Sequence, residues 1–148
     1  MRAVIQRVSR ASVSIKGEVA GSIGKGYLIL LGVGAADARV EAERLWDKIW
    51  HLRIMGDENG KTNRSIADVG GEVLVVSQFT LYADCRHGRR PSFTAAGDPA
   101  HAKELYEYFV SLARADTGRV ATGTFAAEMQ VELVNDGPFT ICLDTDEL

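Results

Sequence analysis

The segment from Ser77 to Phe93, SQFTLYADCRHGRRPSF, contains most of the residues in this chain whose types and spacing favour chemistry. It follows the apolar run VLVV (Val73–Val76), continues through Ser77, Gln78 and Thr80, and ends in a basic loop. A strand that turns polar where a basic loop begins is typical of a place where a core gives way to a ligand. Thr also favours strands, and Ser and Gln often satisfy only backbone groups, so a purely structural interpretation stays open.

The familiar motifs of catalysis are missing from the rest of the sequence. The three histidines lie far apart, and Cys85-x-His87 lacks the two further ligands of a structural zinc site, so we predict no metal and no cofactor. No G-x-S-x-G nucleophile motif and no G-x-x-x-x-G-K-[ST] phosphate loop is present, and Gly32-x-Gly34 predicts close packing instead. A triad assembled from distant residues stays open, because triads form in space.

Composition restricts the class of protein. The chain has 148 residues, of which 46% are hydrophobic, and this predicts one globular domain over residues 1–148. Its richest apolar run, Tyr27 to Val33, is too short to span a bilayer. The amino terminus has no apolar core of signal-peptide length, so we expect a cytoplasmic protein without membrane association. The net charge of −3 disfavours a broad nucleic-acid-binding face but permits a small basic patch.

Alternating apolar residues predict several strands. Ala11–Ile15 and Val19–Ile23 flank a turn and predict a hairpin, whereas Tyr27–Val33 predicts a strand buried on both faces. Glu72–Leu81 is strand-like, and the alternation over Met129–Leu133 predicts a half-buried strand. Since short turns join some of these strands and helices separate others, the pattern favours an α+β domain with a mainly antiparallel or mixed β-sheet.

Helical periodicity appears in two segments, which are the two principal helices of the predicted fold. The first covers Ala38 to Leu52, and Asp37 is the expected capping residue. The second begins at Asp98-Pro99, a capping residue followed by proline at the first helical position, and continues through Leu112.

Three segments carry a resemblance to a known family. They are the start MRAVIQRVSRASV, the segment SQFTLYAD with the following RPSF, and NDGPFT. Together they resemble the D-aminoacyl-tRNA deacylase family, whose motifs S-Q-F-T-L and N-x-G-P-[VF]-T fall on Ser77–Leu81 and Asn135–Thr140. The resemblance extends from Met1 to the final strand, and it implies a single barrel-like domain.

The resemblance implies an activity that fits the missing catalytic motifs. The family hydrolyses the ester that joins a D-amino acid, or glycine, to the terminal ribose of tRNA. Such an ester is already reactive, so positioning and an oxyanion site suffice. The resemblance assigns this site to the Ser77–Thr80 segment, including Gln78, with backbone N–H groups around Phe79 and Thr80 and help from the RNA 2′-hydroxyl. A nucleophilic Thr80 is the competing mechanism.

The resemblance also implies a filter for chirality. In the family, a cis Gly-Pro pair reaches into the active site of the partner subunit, and its carbonyls line the amino-acid pocket. These residues correspond to Gly137 and Pro138, in a motif that begins at Asn135, and Arg7 is expected to hold their loop. A rigid wall that clashes with every L side chain would reject all L forms at once and admit glycine. We therefore expect a homodimer with the active site at the subunit interface.

Contact with nucleic acid is expected only at the acceptor end of the tRNA. Arg86, Arg89 and Arg90 are the predicted phosphate ligands. Aromatic side chains of the same segment, Phe79, Tyr82 or Phe93, are the candidates for stacking on the terminal adenine.

Two other classes of function stay open at the level of sequence. A non-catalytic binding or structural domain would equally lack catalytic motifs, and a deacylation assay separates it from an enzyme. A small-ester hydrolase with Thr80 or Ser77 as its nucleophile would form a trapped acyl-enzyme and would not depend on tRNA.

Overall fold

The computed structural model describes all 148 residues, with strands, helices and two short 3₁₀ helices in the order expected of an α+β chain. The strands are β1 (Arg2–Ile15), β2 (Glu18–Ile23), β3 (Gly26–Gly32), β4 (Met55–Gly56), β5 (Thr62–Arg64), β6 (Glu72–Ser77), β7 (Val120–Thr122) and β8 (Gln130–Asp144). The α-helices are α1 (Arg39–His51), α2 (Ile66–Val69) and α3 (Pro99–Asp116). The 3₁₀ helices cover Phe79–Tyr82 and Thr145–Glu147.

Strand β1 organises a mixed sheet, because it pairs antiparallel with β2, β3 and β8. The order β2-β1-β3-β6-β7 continues through parallel β3–β6 and β6–β7 pairs. The two ends of this order approach each other: Arg119 donates a hydrogen bond to the Ser22 carbonyl at 3.1 Å, and Gly21 packs against Thr122. The sheet therefore nearly closes, which confirms the predicted single α+β domain with a barrel-like mixed sheet.

Apolar residues are buried on both faces of this sheet. One face packs against α1 and α3 in a cluster of 22 buried residues, and the other encloses a cluster of seven. Tyr27, Ile29 and Leu31 of β3 belong to the first cluster, and Leu28 belongs to the second. The prediction of a strand buried on both faces is confirmed, and this double burial explains the continuous apolar run.

Helix α3 begins as predicted. The Asp98 carboxylate accepts a hydrogen bond from the His101 amide at 3.3 Å, and Pro99 occupies the first helical position. None of the helices has the length and hydrophobicity needed to cross a membrane.

Helix α1 has a different cap from the one predicted. Its N-cap residue is Ala38, whose amide donates to the Glu41 carboxylate at 2.7 Å. The prediction that Asp37 caps α1 is wrong, because the Asp37 carboxylate accepts hydrogen bonds from the Gly34 amide at 2.5 Å and from the Met1 α-amine at 2.7 Å.

Candidate active site

The S-Q-F-T-L segment leaves the sheet at Ser77. Parallel pairing of β6 with β3 ends at Leu31 and Ser77, and the Gln78 amide still donates to the Leu31 carbonyl at 2.8 Å. Because β3 ends one residue later, no partner strand extends further, and the chain turns into the 3₁₀ helix Phe79–Tyr82. The predicted strand over Glu72–Leu81 is therefore wrong beyond Ser77.

Two backbone amides at the start of this helix, those of Phe79 and Thr80, have no acceptor within it. The first hydrogen bond of the helix runs from the Leu81 amide to the Gln78 carbonyl, at 3.2 Å. A later bond runs from the Ala83 amide to the Thr80 carbonyl, at 3.0 Å. The N–H groups that precede the first such bond need partners outside the helix. Both amides are therefore available to an oxygen atom that gains negative charge.

The Thr80 hydroxyl lies beside an amide rather than beside a base. Gln78 donates a side-chain hydrogen bond to the Thr80 Oγ1 atom, and no His, Asp or Glu side chain bonds to this hydroxyl. A hydroxyl nucleophile needs such a base for activation. The molecule has no group of three or more His, Cys, Asp or Glu side chains arranged to hold a metal ion.

An apolar cleft of about 650 Å³ opens beside Phe79, a residue that is 56% exposed. Its ring meets the Phe93 ring edge to face, with 5.1 Å between the centroids. Phe125 and Met129 complete the wall, and Glu128 is the single charged residue that lines it. A cleft of this size with aromatic walls suits a flat ring such as a nucleobase.

Sequence patterns identified Phe79 and Phe93 but missed Phe125 and Met129. The alternation that begins at Met129 predicts a half-buried strand. This pattern does not distinguish an apolar side chain that packs in a core from one that lines a ligand site. Phe125 stands in a loop and reaches the cleft only through the fold of distant segments, so no local signal marks it.

Tyr82 faces away from the cleft. The Arg2 guanidinium lies 4.5 Å from the centroid of its ring, and its hydroxyl donates to the Asp37 carboxylate at 3.3 Å. Burial raises the pKa of Tyr82, and the negative charge of Asp37 raises it further, so the hydroxyl stays a neutral donor. Of the three predicted stacking residues, the structure therefore brings only Phe79 and Phe93 to the cleft.

The basic loop is closed by two backbone hydrogen bonds between Asp84 and Ser92, at 2.7 and 2.9 Å. Arg86 donates from Nε and Nη2 to the Asp84 carboxylate at 2.9 and 2.7 Å, and this contact lowers the pKa of Asp84 to about 2. Arg89 and Arg90 are exposed and make no ion pair. Two of the three predicted phosphate ligands are thus free, and the third is already neutralised.

The N-D-G-P-F-T segment forms a large bulge in β8. Val8 of β1 pairs with Asn135 of β8, and the next pair in the ladder is Gln6 with Thr140. The two pairs are thus two residues apart in β1 but five residues apart in β8. The four residues between are pushed out of the ladder. The Gly137–Pro138 peptide bond is cis, as the resemblance implies, and both residues are exposed.

Arg7 and Asn135 hold this bulge. Arg7 donates to the carbonyls of Asp136 and Gly137 at 2.9 and 3.2 Å, and its guanidinium lies 4.5 Å from the centroid of the Phe139 ring. The Asn135 side chain donates to the carbonyls of Arg7 and Phe139, both at 3.0 Å. Side-chain donors thus fix the backbone on both sides of the cis peptide.

Nothing within the chain requires glycine at position 137. Its φ angle is not positive, and a Cβ atom there would meet only the Asn135 side-chain oxygen, at 3.4 Å. That distance is an ordinary van der Waals contact. The chain itself therefore has room for the methyl group of an alanine at this position.

The bulge and the cleft are far apart on one chain. Ser77 pairs with Leu31, which pairs with Ala3, whereas Arg7 at the bulge lies four residues further along β1. This offset is about 13 Å along the strands, and the three strand spacings from β8 to β6 add about 14 Å across them. No residue of the bulge lines the cleft. A single chain therefore does not form a site from both motifs.

Comparison with known proteins places the chain among hydrolases that cleave ester bonds. A family model described as D-Tyr-tRNA(Tyr) deacylase matches residues 4–144. A D-aminoacyl-tRNA deacylase from Koribacter versatilis is 62% identical over 145 residues, covering 98% of this chain and 97% of its own. One from Thermotoga petrophila is 55% identical over 148 residues, covering 100% and 99%. The chain belongs to the D-Tyr-tRNA(Tyr) deacylase family.

Solved structures share the fold. A structure described as a c-Myc DNA Unwinding Element Binding Protein matches with a TM-score of 0.93 and 41% identity, covering 97% of this chain and 98% of its own. A structure described as a probable eukaryotic D-amino acid tRNA deacylase matches with a TM-score of 0.85, covering 96% and 97%. Its identity is only 15%, so this second likeness shows the fold alone.

Proposed function

We propose that this enzyme hydrolyses the ester bond of D-aminoacyl-tRNA and releases free tRNA and the D-amino acid. Family membership supports the proposal, as do close relatives that are named for this activity. The observation that carries it is a pair of free amides, that of Phe79, which lines a cleft with aromatic walls, and that of the adjoining Thr80. The cleft suits the terminal base, and the amides suit the ester oxygen.

In the proposed mechanism, the backbone and the substrate supply the chemistry. The terminal adenine lies against Phe79 and Phe93, and the ester carbonyl points at the amides of Phe79 and Thr80. As water attacks, the carbonyl oxygen becomes negative and the two N–H groups stabilise it. The neighbouring ribose 2′-hydroxyl assists the water, so no side-chain base is needed. The Thr80 hydroxyl, which accepts a hydrogen bond from the Gln78 side chain, positions the substrate and does not attack it.

Chiral selection in this proposal comes from a second copy of the chain. Gly137 and Pro138 of one subunit of a homodimer enter the cleft of the other, with their carbonyls facing the amino acid. Their exposure and their distance from the cleft of their own chain support this arrangement. A backbone wall held by Arg7 cannot move aside for an L side chain. Glycine has no side chain to exclude, so glycyl-tRNA is also a substrate.

Recognition of tRNA in this proposal is confined to the acceptor end. Arg89 and Arg90 meet a few phosphates, whereas Arg86 is held by Asp84 and contributes less. The net charge of −3 is consistent with a small footprint. We expect the enzyme to act in the cytoplasm, where charged tRNA is used.

The direct test compares D-Tyr-tRNA, L-Tyr-tRNA and Gly-tRNA as substrates of the pure enzyme. We expect the D and glycyl esters to be hydrolysed and the L ester to be spared. Equal rates for D and L would contradict the filter, and no hydrolysis of any ester would contradict the function. An ethyl ester of D-tyrosine serves as the control without RNA, and its rapid hydrolysis would favour a small-ester hydrolase.

The role of Thr80 is tested with Thr80→Ala and Thr80→Ser. If the RNA assists hydrolysis, both variants keep most of their activity, because neither removes a backbone amide. If Thr80 is the nucleophile, the serine variant stays active, the alanine variant is inactive, and an acyl-enzyme is trapped in single turnovers.

A further inference from the structure

Asp37 is a nearly buried carboxylate that the proposed chemistry does not use. Its side chain is 9% exposed, and its Oδ1 atom accepts from the Met1 α-amine at 2.7 Å. Its Oδ2 atom accepts from the Gly34 amide at 2.5 Å and from the Tyr82 hydroxyl at 3.3 Å, and its backbone carbonyl bonds to the His101 ring at 2.7 Å. Asp37 thus connects the starts of β1 and α3 and the end of β3 to the 3₁₀ helix of the site.

Tyr82, the last residue of that helix, is fixed at both its hydroxyl and its ring. Besides the hydroxyl bond to Asp37, the ring lies under the guanidinium of Arg2. Arg2 also donates to the Leu81 carbonyl at 3.1 Å and pairs with Asp144 at 2.7 Å. The end of the helix is therefore attached to two charged groups of the surrounding fold.

These attachments matter because a helix of a single turn is not stable by itself. Its beginning is held where the Gln78 amide bonds to the Leu31 carbonyl, and its end is held through Tyr82. The amides of Phe79 and Thr80 lie between these two attachments. Their direction therefore depends on both.

The 3₁₀ helix packs closely against two glycines of the sheet end. A Cβ atom at Gly34 would lie 2.7 Å from the Tyr82 hydroxyl oxygen, and one at Gly32 would lie 3.1 Å from the Leu81 Cβ atom. Both distances are shorter than ordinary contacts. The absence of side chains at Gly32 and Gly34 thus leaves the space that Leu81 and Tyr82 occupy.

We propose that Asp37 is a positioning residue for ester hydrolysis and acts through Tyr82. The hydrogen bond between them aims the amides of Phe79 and Thr80 at the reacting carbonyl. This role rests on the proposed function, which assigns those amides to the ester oxygen. The ester carbonyl oxygen is charged mainly in the transition state. Misorientation of the two amides therefore lowers kcat and changes KM little.

The first test is Tyr82→Phe, which removes only the hydroxyl and keeps the ring under Arg2. With D-Tyr-tRNA we expect kcat to fall about three- to tenfold, as for the loss of one hydrogen bond, while KM stays nearly constant. The matched control is Tyr106→Phe, which deletes a buried bond of 2.9 Å to the Val75 carbonyl and should leave kcat unchanged. An unchanged kcat in Tyr82→Phe, or equal losses in both variants, would overturn the proposal.

A double-mutant cycle separates positioning from general damage. Asp37→Ala should lower kcat, and the combination with Tyr82→Phe should lose no more than the worse single variant, because both substitutions remove the same hydrogen bond. Losses that add in full would contradict the proposal. If Asp37→Ala does not fold, Gly34→Ala replaces it, because the added methyl group displaces the Tyr82 hydroxyl. An unchanged kcat in that variant would also contradict the proposal.

The assays separate this inference from the proposed function. Wild-type protein that fails to hydrolyse D-Tyr-tRNA and Gly-tRNA contradicts the function itself. Active wild-type protein whose Tyr82→Phe variant is equally active contradicts only the positioning role of Asp37.

Discussion

The cleft beside Phe79 and the bulge around Gly137 differ in shape and in the backbone groups that they present. The cleft is concave and mostly apolar, and free N–H groups lie beside it. The bulge projects from the sheet and is exposed, and its carbonyls accept hydrogen bonds. An ester carbonyl needs donors, whereas an ammonium group needs acceptors. In the proposed function, the two regions meet the two polar ends of one aminoacyl group.

The two regions share one means of support. Arg2 donates to the Leu81 carbonyl at 3.1 Å on the cleft side, and Arg7 donates to the Gly137 carbonyl at 3.2 Å on the bulge side. Both arginines belong to β1. The groups proposed to meet the ester and the amino acid are backbone atoms, and these two arginine side chains hold them in place. Substitutions that alter the backbone should therefore have larger effects than those that shorten a side chain.

The largest expected effect is that of Phe79→Pro. Proline has no backbone N–H group, so this substitution removes one of the two proposed donors. Phe79 is the first residue of its 3₁₀ helix, a position that tolerates proline. We expect kcat to fall about 100- to 1,000-fold, as for the loss of an oxyanion donor. Phe79→Ala keeps the amide and loses only the ring, so its kcat/KM should fall about tenfold. Equal activity of the two variants would remove the amide from the mechanism.

Gly137→Ala tests the bulge in the same way. The chain has room for the added methyl group, so thermal stability should stay at the wild-type value. The methyl group would enter the site of a second subunit, and we expect a loss of about 100-fold in kcat/KM for D-Tyr-tRNA. Gly118→Ala is the matched control, because Gly118 also has open space and no positive φ. Full activity of Gly137→Ala would place the bulge outside the site.

A mixture of subunits tests whether cleft and bulge meet between chains. Phe79→Pro and Gly137→Ala are each expected to be nearly inactive alone. After mixed assembly, about a quarter of wild-type activity should return, since half of the dimers are mixed and each mixed dimer has one intact site. No recovery would mean that each chain carries a complete site.

Arg7→Ala should have a moderate effect. Without its two hydrogen bonds the bulge is held less firmly, so we expect kcat/KM for the D ester to fall about tenfold and the preference for D over L to narrow. Arg10→Ala, which loses only an exposed ion pair of 3.7 Å with Glu132, should match the wild type. Equal behaviour of the two variants would contradict the supporting role of Arg7.

The smallest expected effects concern the basic loop. Arg89→Ala and Arg90→Ala should each reduce the salt dependence of tRNA binding by about 0.7 in the log–log slope. Arg86→Ala should reduce it less, because Asp84 already neutralises that guanidinium. The measurement is the Kd for tRNA over a series of salt concentrations. Equal slopes for all three variants and the wild type would exclude this loop from phosphate contact.

Local signals were sufficient for much of the fold. The start of α3 was predicted because capping by Asp98 and proline at position 99 act within one turn. The hairpin was predicted for the same reason, since Lys16 and Gly17 both have positive φ between its strands. Asp37 has capping chemistry too, but its carboxylate accepts instead from the Gly34 amide and from the Met1 amine, 36 residues away. The sequence does not show which partner is chosen.

The candidate site was predictable only where a motif marked it. The Ser77–Thr80 segment and Gly137 were identified through the family resemblance, whereas composition and spacing offered no decision between a structural and a functional role. The contact between Arg7 and Gly137 spans 130 residues, and the wall residue Phe125 has no local signal. Both depend on how β1, β8 and the cleft loops are brought together.

The register of β8 has a consequence for redesign. Antiparallel pairing with β1 is regular on both sides of the bulge, from Arg2 to Gln6 and from Arg10 to Ser14. A second register step lies between Val8 and Arg10, where Ser9 has no partner in the ladder. Because regular pairing resumes on either side of these two steps, we expect that the number of projecting residues can change without shifting the paired ones. The same barrel thus offers a position where loops of other lengths can be grafted, and under the proposed function such loops would change which acyl groups are admitted.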